Sequence, residues 1–193
     1  MNVPKSVIVI IAINLFVYIC HFFMPGSIIE VSDLAVGPWS FYYPWQFITN
    51  MFVHTSFWHF LFNMYTLYWF GTALCRMLDE KKFLLIYLVG GVVGALFFAA
   101  WAWFFNPYTY AIGASGAIFA VGGALAVLQP KMKVMIFPIP IEMPLWVALI
   151  GGGVLLSIFL GGVAWQAHLG GMIAGAIIGY IYRRKYLKSF RVQ

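Results

Sequence analysis

Ser115 stands in the stretch Ala111-Ile112-Gly113-Ala114-Ser115-Gly116, a hydroxyl flanked by glycines at the head of an apolar run that continues to Leu128. Two further polar sets lie in comparable runs: His59 with Asn63, and His168 followed by Gly171 and Gly175. A hydroxyl, an imidazole to take its proton and donors for a developing negative charge are the components of nucleophilic acyl chemistry. His59 and Asn63 are at i and i+4, and His168, Gly171 and Gly175 at i, i+3 and i+7, so each set shares one helix face. No acid is placed to make a triad: Glu30 and Asp33 fall in a loop, and Asp79, Glu80 and Glu142 fall at the other side of the expected spans. The chemistry on offer is a Ser115–His168 dyad. His54 reads as a structural hydrogen-bonding residue just ahead of the run that holds His59.

The elements that must carry these residues follow from composition. Of 193 residues, 64% are hydrophobic and 8% charged, with a mean hydropathy of +0.94. A soluble domain carries roughly 25% charged residues, so this chain reads as a polytopic membrane protein. Pro4-Lys5 runs straight into Ser6–Phe23 with no small-residue cleavage site behind it, which reads as a first span and not a cleaved leader. The pI near 9.4 does not point to nucleic acid. All eleven Lys and Arg fall in four places: Lys5; Arg76, Lys81 and Lys82; Lys131 and Lys133; and Arg183, Arg184, Lys185, Lys188 and Arg191. The stretches between them are long enough to cross a bilayer twice, which puts every cluster on the cytoplasmic side. Cys20 and Cys75 then lie toward opposite membrane faces, too far apart for a disulfide.

With about 20 apolar residues per crossing, six spans are expected, near 6–23, 57–78, 83–105, 113–129, 145–160 and 165–182. The fold class is an all-α six-helix membrane bundle, a single domain over 1–193 with both termini cytoplasmic. Met24-Pro25-Gly26 reads as the stop of the first helix, and the prolines 138, 140 and 144 as a turn. Gly161-Gly162-Val163-Ala164 reads as a tight outer loop. Strands are not expected, because an open sheet edge cannot sit in lipid. The first outer loop, with Trp39, Phe41, Tyr42, Tyr43 and Trp45, has the ring-rich composition of a headgroup-level belt and should lie partly in the membrane as short helical pieces. Ser115, His168, His59 and Asn63 then share one leaflet. No span holds a mid-membrane charge, and no internal repeat is seen, which argues against a channel or transporter.

At these residues the chain resembles the rhomboid intramembrane serine proteases. The likeness rests on His54-x4-His59-x3-Asn63, on Gly113-Ala114-Ser115-Gly116, and on Ala167-His168-x2-Gly171-x3-Gly175, in that order and in six spans. The resemblance implies Ser115 as nucleophile, His168 as general base, and His59, Asn63 and the Ser115 amide as the oxyanion hole. Gly113, Gly116, His54, Gly171 and Gly175 would be supporting residues. It implies no metal or cofactor, transmembrane protein substrates cut near their outer ends, and a gate formed by the fifth helix and adjoining loops. The lipid bilayer would be the other partner and nucleic acid none, with the oligomeric state left open. The membrane implied is a prokaryotic cell membrane, with the site opening away from the cytoplasm. Two positions depart from the common pattern: Gln46 follows Trp45 where relatives often carry arginine, and Cys75 stands where many carry glutamate. A catalytically silent relative that binds membrane clients, and a hydrolase acting on lipid, remain alternative readings of the same residues.

Overall fold

Runs this apolar can satisfy their backbone in hydrocarbon only by coiling, because each unpaired N–H or C=O there costs several kcal/mol, roughly the price of a lost hydrogen bond. In the computed structural model, which describes residues 2–23, 30–136, 139–160 and 162–189, helices dominate. The long ones are α1 (Lys5–Phe23), α4 (Phe57–Met77), α5 (Glu80–Phe105), α6 (Ser115–Leu128) and α9 (Trp165–Ser189). Between α6 and α9, the fifth apolar run is a composite of α7 (Leu145–Val147), a π-helical stretch Ala148–Leu155, and α8 (Leu156–Leu160). Among the described residues, α1 and α5 are long and apolar enough to cross a bilayer, while α6 and Leu145–Phe159 are shorter apolar helices. Large apolar side chains face outward, including Phe16, Trp69, Phe104, Phe159 and Ile177. A protein in water would fold such residues in, so this surface is that of an integral membrane protein.

Several boundaries differ from the sequence reading, each for a local reason. The α6 helix starts at Ser115 and not Gly113, because Gly113 has φ +109°, outside helical geometry. The α5 helix starts at Glu80, since Asp79 caps it by accepting the Lys82 N–H at 2.8 Å. The α9 helix runs past 182 to Ser189, because Arg and Lys are good helix formers and need no bilayer to coil. The exclusion of strands fails. Strands β1 (Lys133–Ile136) and β2 (Ile139–Pro144) form an antiparallel hairpin, with Val134 opposite Met143. It connects α6 to α7 beside Lys131 and Lys133, a lysine-bearing stretch where water can reach a sheet edge. The readings placed on Met24-Pro25-Gly26, Pro138, Gly161 and Arg191 lie outside the described residues.

The bundle closes around α5, α6 and α9. Its core includes Phe83, Tyr87, Leu67, Val121 and Leu125, all fully buried. Backbones approach closely where side chains are missing: a methyl group on Gly175 would overlap the Ala120 carbonyl, and one on Gly171 the Gly116 carbonyl. In a membrane, where lipid tails are as apolar as leucine, such close van der Waals contact is what holds helices together.

The loop between α1 and α4 folds as α2 (Val31–Leu34), a 3₁₀ turn Pro38–Phe41, α3 (Gln46–Thr49) and a second 3₁₀ turn Asn50–Phe52. Gln46, one of the two departures, organises it. Its buried amide accepts from Ser40 Oγ at 2.6 Å and donates to the Ser32 and Asp33 carbonyls at 3.1 and 3.3 Å. At the other departure, Cys75 Sγ lies 3.8 Å from Ser6 Oγ, and the nearby carboxylate is Glu80, which accepts the Ser6 N–H at 2.6 Å. Truncation of Gln46 to alanine strands buried donors and acceptors, at about 1–3 kcal/mol. Gln46→Ala is therefore expected to melt several degrees below wild type in detergent, as read by scanning fluorimetry.

Candidate active site

Three helices, α4, α6 and α9, begin at the same end of the bundle, and each carries its polar group near its start. The Ser56 hydroxyl caps α4 by accepting the His59 N–H at 3.3 Å, which puts His59 in the first turn and Asn63 in the second. Ser115 is the first residue of α6, and His168 lies in the first turn of α9. The N-terminal ends of helices carry unpaired N–H groups and partial positive charge. Three of them converge here, a setting that favours negative charge developing nearby.

The segment leading into Ser115 is suspended from the first loop. Val36 and Ala111 exchange backbone hydrogen bonds at 2.9 and 2.7 Å, and the Gly113 N–H donates to the Asn50 carbonyl at 2.8 Å. The Ala114 N–H donates to His54 Nε2 at 3.4 Å. Gly113 answers two demands together: its positive φ suits a residue without Cβ, and a Cβ there would strike the His59 ring. His54 and His59 have ring centroids 4.9 Å apart.

These supports bring Ser115 Oγ to 2.9 Å from His168 Nε2, from helices 53 residues apart in sequence. The other ring nitrogen, Nδ1, lies 3.0 Å from the Gly153 carbonyl and 3.3 Å from Ser157 Oγ. Phe119, one turn beyond Ser115, stacks on the imidazole with centroids 4.2 Å apart and planes 7° from parallel. His168 is thus held on one face and at both nitrogens. Ser115, His168, His59 and Asn63 all line one cavity of about 970 Å³. Asn63 spends one amide hydrogen on the His59 carbonyl at 2.7 Å and has a second to offer.

Of the supporting glycines, Gly171 and Gly175 allow α9 to lie against α6. Gly116 does not need to be glycine for space, since an added methyl would sit 3.5 Å from the Ala167 carbonyl. Sequence reasoning missed Ser157, Gly153 and Phe119 as neighbours of His168. A signal existed for Ser157, the one hydroxyl in the run 145–160. Phe119 looked like any aromatic residue of an apolar helix. No group of three or more His, Cys, Asp or Glu able to hold a metal ion occurs among the described residues.

Burial pushes the His54 imidazole down to about 3, with the charge of His59 adding to the effect. A histidine held neutral in the fold and free to titrate near 6.5 when unfolded supports stability fully above that pH. This contribution is lost as pH falls from about 6.5 toward 3. His54→Gln keeps an acceptor for the Ala114 N–H without the titration. Melting temperatures of wild type are expected to fall more steeply than those of His54→Gln between pH 7 and about pH 4.

The Rhomboid domain family matches residues 43–185. Among individual proteins, the chain is similar to Rhomboid protein 1, mitochondrial, of Saccharomyces cerevisiae, at 34% identity over 152 residues, 69% of this chain and 40% of the yeast protein. It is similar to the putative rhomboid protease YdcA of Bacillus subtilis at 30% identity over 153 residues, 79% of this chain and 71% of that one. It is also similar to the rhomboid protease GluP of the same bacterium, at 35% identity over 148 residues, 76% of this chain but only 26% of GluP.

Proposed function

This chain belongs to the rhomboid family, and on that premise we propose that it is an intramembrane serine endopeptidase acting through Ser115 and His168. The observation that carries the reading is the 2.9 Å approach of Ser115 Oγ to His168 Nε2 inside a cavity rather than in a sealed core. In this reading His168 Nε2 takes the hydroxyl proton as Oγ bonds to the carbonyl carbon of a substrate peptide. The resulting oxyanion is met by the Ser115 amide, the free amide hydrogen of Asn63, and His59. Collapse of the tetrahedral species breaks the C–N bond, and the proton on His168 passes to the leaving nitrogen. A water molecule, deprotonated by the same nitrogen, then releases the acyl group and restores the serine. No cofactor takes part.

The substrate class follows from the setting. We place the six helices across the membrane with both termini on the basic, cytoplasmic side, so that the cavity opens to the opposite face. A helical peptide bond has its carbonyl already bonded and shielded, so a segment must unwind before Oγ can reach it. Transmembrane segments weakened by glycine or proline near their outer ends fit that need. The similar proteins named above come from a bacterium and from yeast, the yeast one named mitochondrial, and the proposal covers either membrane.

The experiment is cleavage of a model transmembrane substrate, with fluorophosphonate labelling in parallel. Ser115→Ala is expected to abolish both, and His168→Ala to lower cleavage by at least about a thousandfold. Asn63→Ala should lower kcat by about 10²–10³ with KM little changed, as loss of one oxyanion donor does elsewhere. Undiminished cleavage by Ser115→Ala would overturn the reading, and turnover of lipid esters but not peptides would redirect it to a lipid hydrolase.

A further inference from the structure

A serine–histidine pair without a carboxylate leaves one question open: what keeps the hydrogen of the imidazole on Nδ1, so that Nε2 has a lone pair for the serine proton? Around His168 the candidates are two groups on the fifth apolar run, the Gly153 carbonyl at 3.0 Å and Ser157 Oγ at 3.3 Å from Nδ1. A carbonyl can only accept. A serine hydroxyl can do either, but it has one hydrogen, and here Ser157 Oγ donates that hydrogen to the Gly153 carbonyl. Its lone pairs are what remain for Nδ1. Both neighbours of Nδ1 are therefore acceptors, and only the tautomer with hydrogen on Nδ1 satisfies them.

We propose that Ser157 is a positioning residue for His168: its hydroxyl, locked onto the Gly153 carbonyl, presents an acceptor to Nδ1–H and so holds the imidazole in the tautomer and orientation that Ser115 requires. The inference rests on the reading of His168 as general base. A serine that only satisfied itself by back-bonding within its helix, a common arrangement, would explain the bond to Gly153. It would not explain a buried hydroxyl 3.3 Å from the ring nitrogen of a residue on another helix. The backbone around it is built for the approach. Gly153 lies in the π-helical stretch Ala148–Leu155, and the change to α spacing comes two residues later, where the regular ladder of carbonyls is interrupted. A methyl group on Gly153 would overlap the ring of Phe119, the same ring that stacks on His168. When His168 takes the serine proton, the imidazolium donates from both nitrogens, and the two acceptors at Nδ1 then face a positive ring. They do with neutral oxygens what a carboxylate does in a triad.

The test uses the full chain in detergent, with kcat and KM for a transmembrane substrate, melting temperature and ¹⁵N NMR of the histidine rings. In wild type, the His168 ring is expected to show the Nδ1–H tautomer at neutral pH. The opposite tautomer would overturn the proposal without any variant. Ser157→Ala, which leaves the Gly153 carbonyl as the one remaining acceptor at Nδ1, should lower kcat about tenfold with KM within about twofold of wild type, and should admit a share of the opposite tautomer. Ser157→Thr, which keeps the hydroxyl, should recover most of kcat. Wild-type kcat and an unmixed tautomer in Ser157→Ala would sink the positioning role while leaving the dyad in place. So would a kcat loss that follows a lowered melting temperature and is not recovered by threonine. Cleavage that survives Ser115→Ala would instead remove the dyad, and the role of Ser157 with it.

Discussion

The approach of α9 to α6 sets the terms for everything near the cavity. Carbonyl oxygens of Gly116 and Ala120 rest where side chains of Gly171 and Gly175 would otherwise project. Contact at backbone distance brings a serine on one helix within hydrogen-bond reach of a histidine on the other, since neither side chain is long. It also does so rigidly, because two backbones in contact have little room to slide. In the proposed reaction, preorganisation of this kind would remove the entropy of bringing nucleophile and base together at each turnover. Gly90 and Gly94 extend the same contact to α5, where added methyl groups would meet Ala120 and the Ala167 carbonyl. The three helices form one unit.

Polar groups complete what the glycines begin. The strand-like segment before Ser115 hangs from Val36, Asn50 and His54, and the loop that supplies the first two is tied together through Gln46. The long first loop is therefore part of the site's foundation, although none of its residues from 30 to 53 faces the cavity. At Gln46 the anchor is a neutral amide, bonded to a hydroxyl and two carbonyls.

The fifth run is the least regular helix of the bundle, and it is the one that touches His168 from the side opposite Ser115. Its π-helical stretch, its glycines and its single serine make sense together once the ring nitrogen is seen to need acceptors. The hairpin of β1 and β2 shows the complementary rule. Extended backbone is admitted where the chain turns beside lysines and water can pair its open edges.

The sequence by itself determined the helical class, the membrane setting, the order of the apolar runs and the identity of Ser115, His168, His59 and Asn63 as the polar residues to watch. These are legible because hydropathy and helix periodicity are local properties, and a hydroxyl or imidazole in an apolar run stands out against its neighbours. Only the tertiary structure decided that Ser115 and His168 meet at 2.9 Å, that Phe119 covers the imidazole, and that Gly153 and Ser157 attend its other nitrogen. It also decided that α6 begins at Ser115 and that 133–144 forms a hairpin. Those facts depend on how close two backbones come and on which carbonyl a π-helical turn leaves exposed. Both are set by packing between segments far apart in the chain, and no local pattern encodes them.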